Sequence, residues 1–214
     1  MSHTKVTVMD YGIGNVFSVL RALSQVADVH FTADAKEAAA ADRLVVPGVG
    51  AFADCMNQLT GRGLADVVKE FSQSGRPMLG ICVGMQMLFD RSEEFGNVSG
   101  LGILPGHVRE IASKTDTGER RKIPHIGWSP LQLGPNRADW SGSVLSSLNP
   151  GATMYFVHSF SVIADNPDHV LAAVDYEGYP VTAAIQSGNV FGTQFHPERS
   201  AANGQSLLKA FVSI

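Results

Sequence analysis

Of the two cysteines in the chain, Cys82 stands where a thiol could act as a nucleophile. It follows the apolar run Met78-Leu79-Gly80-Ile81, which reads as a strand buried on both faces of a parallel sheet. Beyond it Met85, Leu88 and Phe89 fall at i, i+3 and i+4, so the period switches from strand to helix. A cysteine at that corner meets the unpaired N–H groups of a helix amino terminus and the positive end of its dipole. Both favour a thiolate over a thiol. Gly80 and Gly84 let the chain turn sharply and pack closely, as in the Gly-x-nucleophile-x-Gly elbow of hydrolases. A cysteine with no such context is a packing residue, and Cys55 reads that way.

Thiol chemistry needs a proton acceptor, and among seven histidines the segment His196-Pro197-Glu198 stands out. A residue before proline is pushed into extended backbone, and proline fixes its own φ. In extended chain, residues i and i+2 point to one side, so His196 and Glu198 are expected to project together. The carboxylate would then orient the imidazole and stabilise its protonated form, as the acid does in a nucleophile–base–acid triad. The two halves lie 114 positions apart (196 minus 82), and only the fold can join them. No His, Cys and carboxylate set has metal-ligand spacing, so no metal is expected.

The bulk numbers exclude some partners. The 214 residues are 44% hydrophobic and 17% charged, with net charge −4; no strongly basic face is implied, so neither nucleic acid nor an anionic membrane is expected. The start leads straight into Val6-Thr7-Val8 without a signal-peptide core, and no apolar run approaches the ~18 residues that span a bilayer. Two cysteines make no disulfide framework. These features predict a soluble cytoplasmic protein.

The elements that must position the site follow from periodicity. Strands are predicted at Lys5 to Met9, Asp28 to Phe31, Leu44 to Val46 and Met78 to Ile81, alternating with helical stripes at 16–26, 35–41 and 64–71. The Gly12-x-Gly14 turn lacks the third glycine of a dinucleotide fingerprint, because Phe17 stands there; Asn15 reads as a helix N-cap. Pro47-Gly48-Val49-Gly50 can present N–H groups to an anion, or simply turn. After Phe89, residues 90–96 read as a charged helix end facing solvent. Leu101 to Ile111 and Pro124 to Leu133 read as antiparallel strands flanking a solvated tip at 113–122. Four further strands, at 153–157, 170–174, 181–185 and 190–195, and a closing helix at 205–212 complete an α/β chain with an antiparallel extension, in one domain spanning 1–214.

Three segments, Pro47-Gly-Val-Gly50, Gly80-Ile-Cys-Val-Gly-Met-Gln86 and Phe195-His-Pro-Glu198, resemble in order the three signatures of class I glutamine amidotransferases. Within that class, 10–15 (Asp-Tyr-Gly-Ile-Gly-Asn), 124–128 (Pro-His-Ile-Gly-Trp) and 156–160 (Phe-Val-His-Ser-Phe) are similar to the glutaminase subunits of imidazole glycerol phosphate synthases, which serve histidine biosynthesis. Ser129 and Phe160 depart from the asparagine and tyrosine common in that subgroup. The resemblance implies an open, mostly parallel sheet of flavodoxin-like type flanked by helices. It implies that Cys82 attacks the side-chain amide of L-glutamine, with His196 and Glu198 completing the triad. Val83, with Val49 and Gly50 of the 47–50 turn, would form the oxyanion hole. Gly48, Gln86, Glu94, Ser159 and Phe160 would hold the glutamine. A heterodimer with a (β/α)8-barrel cyclase subunit is implied, with Asn15 and Trp128 toward the barrel and no cofactor. Packing is the competing role for Trp128. Two rivals remain: a glutaminase serving another pathway, such as pyridoxal phosphate, anthranilate or GMP synthesis, and a non-catalytic regulatory protein on the same scaffold.

Overall fold

A computed structural model describes residues 4–13 and 16–214. The first half alternates strands and helices as the periodicity predicts: β1 (Lys5–Met9), α1 (Val16–Leu23), β2 (Asp28–Thr32), α2 (Ala35–Ala39), β3 (Leu44–Gly48), α3 (Phe52–Gly61), α4 (Leu64–Gln73) and β4 (Met78–Cys82). Every residue of β3 and β4 is buried, which is why these strands read as unbroken apolar runs. A single helical turn, α5 (Val83–Gln86), then leads to β5 (Phe89–Ser92), β6 (Val98–Ser99), β7 (Leu104–Glu110), β8 (His125–Pro130), β9 (Gln132–Leu133), β10 (Thr153–His158) and β11 (Phe160–Ala164). The chain closes through β12 (Val170–Tyr176), β13 (Tyr179–Ser187), β14 (Val190–Thr193) and α6 (Ala201–Ser213).

Eight strands form the main sheet in the order β2-β1-β3-β4-β14-β13-β12-β9. The first five are mutually parallel, and β13, β12 and β9 extend them antiparallel. The five-strand order is that of flavodoxin-like sheets, which bind ligands at the carboxyl ends of their strands. Register makes three of those ends flush: Gly48 of β3 pairs Cys82 of β4, and Thr193 of β14 pairs Ile81. The chain leaving each of these strands therefore begins at one edge. No helix among the described residues is long and apolar enough to cross a membrane.

Five local expectations fail. The helical stripe after Cys82 does not continue, because the carbonyls of residues 87–90 accept from the N–H groups of Gly100, Leu101, Gly102, Ile103 and Leu104 instead. Leu88 is buried from a turn and Phe89 from a strand, neither from a helix. The charged segment after Phe89 is only partly solvated: Asp90 and Arg91 are exposed, but Ser92 and Glu94 are buried. Residues 101–111 and 124–133 do not form a hairpin. β7 pairs β11, a strand the periodicity did not predict, while β8 pairs β10 in a separate two-stranded ribbon. Nor is the tip between them wholly solvated, since Arg121 is buried and donates to the carbonyls of Ala112, Lys114, Tyr176 and Glu177. Finally, Pro197–Arg199 is a 3₁₀ turn, not extended chain.

Candidate active site

Cys82 ends β4 with φ 55° and ψ −113°, a conformation costly for any residue but glycine and one that concentrates at functional sites. The tight turn is possible because its flanks have no side chains. A Cβ on Gly80 would lie 2.7 Å from the Gly84 carbonyl oxygen, and one on Gly84 would run into the Val46 carbonyl. Four residues of helix carry little aligned dipole, so the electrostatic environment of the sulfur is set by side chains instead.

The principal such side chain is His196. It leaves the end of β14 in extended conformation, φ −100° and ψ 98°, and the 3₁₀ turn that follows brings Glu198 back over it. His196 Nδ1 lies 2.7 Å from Glu198 Oε1, both side chains being buried. The juxtaposition expected from Pro197 is thus present, although a turn and not an extended segment produces it. Burial alone would push the imidazole down. Contacts with Cys82 and Glu198 outweigh it and raise His196 to about 10. Its Nε2, on the ring edge away from Glu198, is buried with no hydrogen-bond partner among the described residues.

The 47–50 turn is held from beneath. Tyr11, fully buried, donates its hydroxyl to the Pro47 carbonyl, and Cys55 Sγ donates to the Val49 carbonyl at 3.4 Å. In a trans peptide the N–H opposes its carbonyl, so the Gly50 N–H points away from Cys55. Burial is the main cause pushing the Cys55 thiol up to about 11, and burial likewise raises the Tyr11 hydroxyl. Cys55 is therefore a packing thiol, as its sequence context predicts.

One cavity of about 450 Å³ gathers these groups. Its lining includes Gly48, Val49, Gly50, Cys82, Val83, Gln86, Glu94, Ser159, Phe160, His196 and Glu198, so every residue expected at the reaction centre or the glutamine site reaches one space. Glu94 accepts the Phe52 N–H at 2.7 Å, anchoring the start of α3 just after the turn. Gln86 donates to the Phe160 carbonyl at 3.2 Å and to the Gln194 amide oxygen at 3.0 Å. Gln194 was not foreseen, yet its amide nitrogen is 3.7 Å from Cys82 Sγ. Its one signal in sequence is a glutamine inside the apolar run Val190 to Phe195. His125 and His158 are both buried and hydrogen-bonded to each other at 3.0 Å.

The two residues expected at a partner surface fare differently. Asn15 lies outside the described residues. Trp128 is on β8 and 51% exposed, which rules out simple core packing. It stands edge-on to Tyr155 of β10 at 6.0 Å, and Tyr155 in turn lies under the Arg199 guanidinium at 4.4 Å. Ile126, two residues before on the same face of β8, is 54% exposed.

A family model described as glutamine amidotransferase class-I matches residues 7–214. The chain is 42% identical over 212 residues, 99% of its length and 100% of the relative's, to imidazole glycerol phosphate synthase subunit HisH 1 of Legionella pneumophila strain Lens. It is 44% identical over 212 residues to the HisH subunit of Geobacillus thermodenitrificans, covering 99% of this chain and 96% of that one. Among solved structures, a glutamine amidotransferase matches with TM-score 0.68 at 17% identity over 97% of both chains, a likeness of fold.

Proposed function

The chain belongs to the class I glutamine amidotransferases, and from that premise we propose that it is the glutaminase component of an imidazole glycerol phosphate synthase. The observation that carries the chemistry is the conjunction in one cavity of a strained cysteine and a buried histidine–carboxylate pair. In this reading the Cys82 thiolate attacks the side-chain amide carbon of L-glutamine. The developing oxyanion is met by backbone N–H groups of Val83 and of the Val49–Gly50 turn. Collapse breaks the C–N bond, His196 gives its proton to the departing ammonia, and a glutamyl thioester remains. Water then attacks the thioester and passes its proton to His196. The C–S bond breaks, glutamate leaves and the thiolate is restored. Glu198 keeps the imidazole oriented and its cationic form stable throughout. Gly48, Gln86, Glu94 and the Ser159–Phe160 backbone hold the amino-acid end of the substrate. No cofactor takes part.

Ammonia released into water near neutral pH is protonated and loses its nucleophilicity, so a glutaminase of this kind must hand it across an interface. The partner we propose is the (β/α)8-barrel cyclase subunit, in a heterodimer located in the cytoplasm. It would use ammonia on a phosphoribosyl-linked imidazole-carboxamide nucleotide to give imidazole glycerol phosphate and an aminoimidazole-carboxamide ribotide. The exposed Trp128 and Ile126, bordered by Tyr155 and Arg199, offer the apolar, aromatic character of an interface anchor. A glutamine-analogue electrophile, such as a diazoketone, tests the chemistry. It should add one equivalent to Cys82 and none to Cys55, and excess glutamine should block it; labelling that ignores glutamine would refute the assignment.

A further inference from the structure

The hydrogen bonds around Gln86 admit only one arrangement of donors and acceptors. The Phe160 carbonyl oxygen can only accept, and it lies 2.8 Å from His158 Nδ1 and 3.2 Å from the Gln86 amide. His158 therefore carries its proton on Nδ1, and Gln86 presents its NH₂ group there. The same Gln86 nitrogen is 3.0 Å from the Gln194 side chain, which must meet it with oxygen. That choice turns the Gln194 NH₂ toward Cys82 Sγ, 3.7 Å away. On the far side His158 Nε2, left bare, accepts from His125 Nδ1 at 3.0 Å, and His125 Nε2 accepts the Ser129 hydroxyl at 2.8 Å. Burial, the largest cause for each, holds His158 down at about 3 and His125 at about 4. Both stay neutral near pH 7, so these tautomers, and the orientation of Gln194, do not change in that range.

We propose that Gln194 is a further catalytic residue: its side-chain amide donates to the Cys82 sulfur and stabilises the thiolate, both as attacking group and as the group expelled from the thioester. A donor is worth more to a charged acceptor than to a neutral one. The bond is therefore strongest to the free thiolate, weakens when the sulfur is acylated, and strengthens again as the thioester breaks. The same bond makes the thiolate less nucleophilic, but nucleophilicity falls only about half as steeply as basicity. Below the pH at which the sulfur is fully ionised, the gain in thiolate outweighs that loss. Above it the donor gives no advantage in attack.

The second role rests on the glutaminase function proposed above, whereas donation to the thiolate is read without glutamine. The test is the rate of Cys82 alkylation by iodoacetamide as a function of pH, in wild type and in Gln194→Met, with Cys82→Ala as the blank. The pH midpoint should rise by at least about one unit, with the rate near pH 7 falling several-fold and the alkaline plateau equal to or above wild type. A rate lowered by the same factor at every pH, with no movement of the midpoint, would overturn the proposal, since that is what loosened packing alone would give. If Gln194→Met does not fold, the wild-type protein decides. The Gln194 side-chain amide resonances should shift on alkylation of Cys82 and titrate with the alkylation midpoint; unmoved resonances would overturn it. Loss of the glutaminase reading, seen as no glutamine hydrolysis by wild type with its partner, leaves both readouts intact.

Discussion

His196 and Glu198 sit in one buried pair, yet the chemistry asks different things of them. In the proposed mechanism the imidazole moves protons in both halves of the reaction, whereas the carboxylate orients it and keeps it charged. His196→Asn should therefore lower glutamine hydrolysis by at least the ~10²–10⁴-fold typical of lost acid–base catalysis, and Glu198→Gln by clearly less. Because Glu198 helps raise His196, Glu198→Gln should also bring the alkaline limb of the pH–rate profile to lower pH. Steady-state rates across pH check both, and wild-type activity in His196→Asn would remove His196 from the mechanism. Cys82, His196 and Glu198 were legible because each is marked by its immediate neighbours: glycines around a period switch, and a proline between two polar residues. Gln194 and Tyr11 carry no such mark. Gln194 lies within the run Val190 to Phe195 and Tyr11 between Asp10 and Gly12, and what makes them matter is a sulfur or a carbonyl brought from another strand.

At the scale of elements, parallel strands with continuous apolar runs were readable, whereas the carboxyl edge at which β3, β4 and β14 end together is set by their pairing. Most of the misreadings share one cause. Five residues spaced like a helix, Met85 to Phe89, also suit a turn followed by a strand, and the choice was made by backbone partners at 100–104 that no local window contains. The β8–β10 ribbon is a similar case, because its long-range pairing buries two histidines that look unremarkable in sequence. Their burial has a consequence for stability. Unfolded, His125 and His158 titrate near the ordinary 6.5; folded, they are held to about 4 and 3. Between those values the unfolded chain binds more protons than the native one, so stability must fall as pH falls below about 6.5. The melting temperature should already decline between about pH 7 and about pH 5, before most carboxylates titrate. A flat profile over that interval would mean that the two rings are not buried neutral.

For the molecule as a whole, the resemblance named a function that the fold by itself does not, since the same α/β scaffold serves many activities. The geometry adds a reason for partnership. The cavity that holds Cys82 is lined by Val157 and Arg199, and Arg199 stacks on Tyr155 beside the exposed Trp128. The reaction centre and the apolar surface proposed for the barrel are therefore one continuous region, and glutamine hydrolysis by the isolated chain should be slow relative to the assembled enzyme. The most direct test reconstitutes the chain with the barrel subunit and measures nucleotide-derived product, with glutamine or with ammonium salt as the nitrogen source. Wild type should use both, while Cys82→Ala should lose the glutamine-dependent reaction and keep the ammonium-dependent one. Glutamine-dependent synthesis that survives Cys82→Ala, or a wild-type chain that never supports it, would contradict the account.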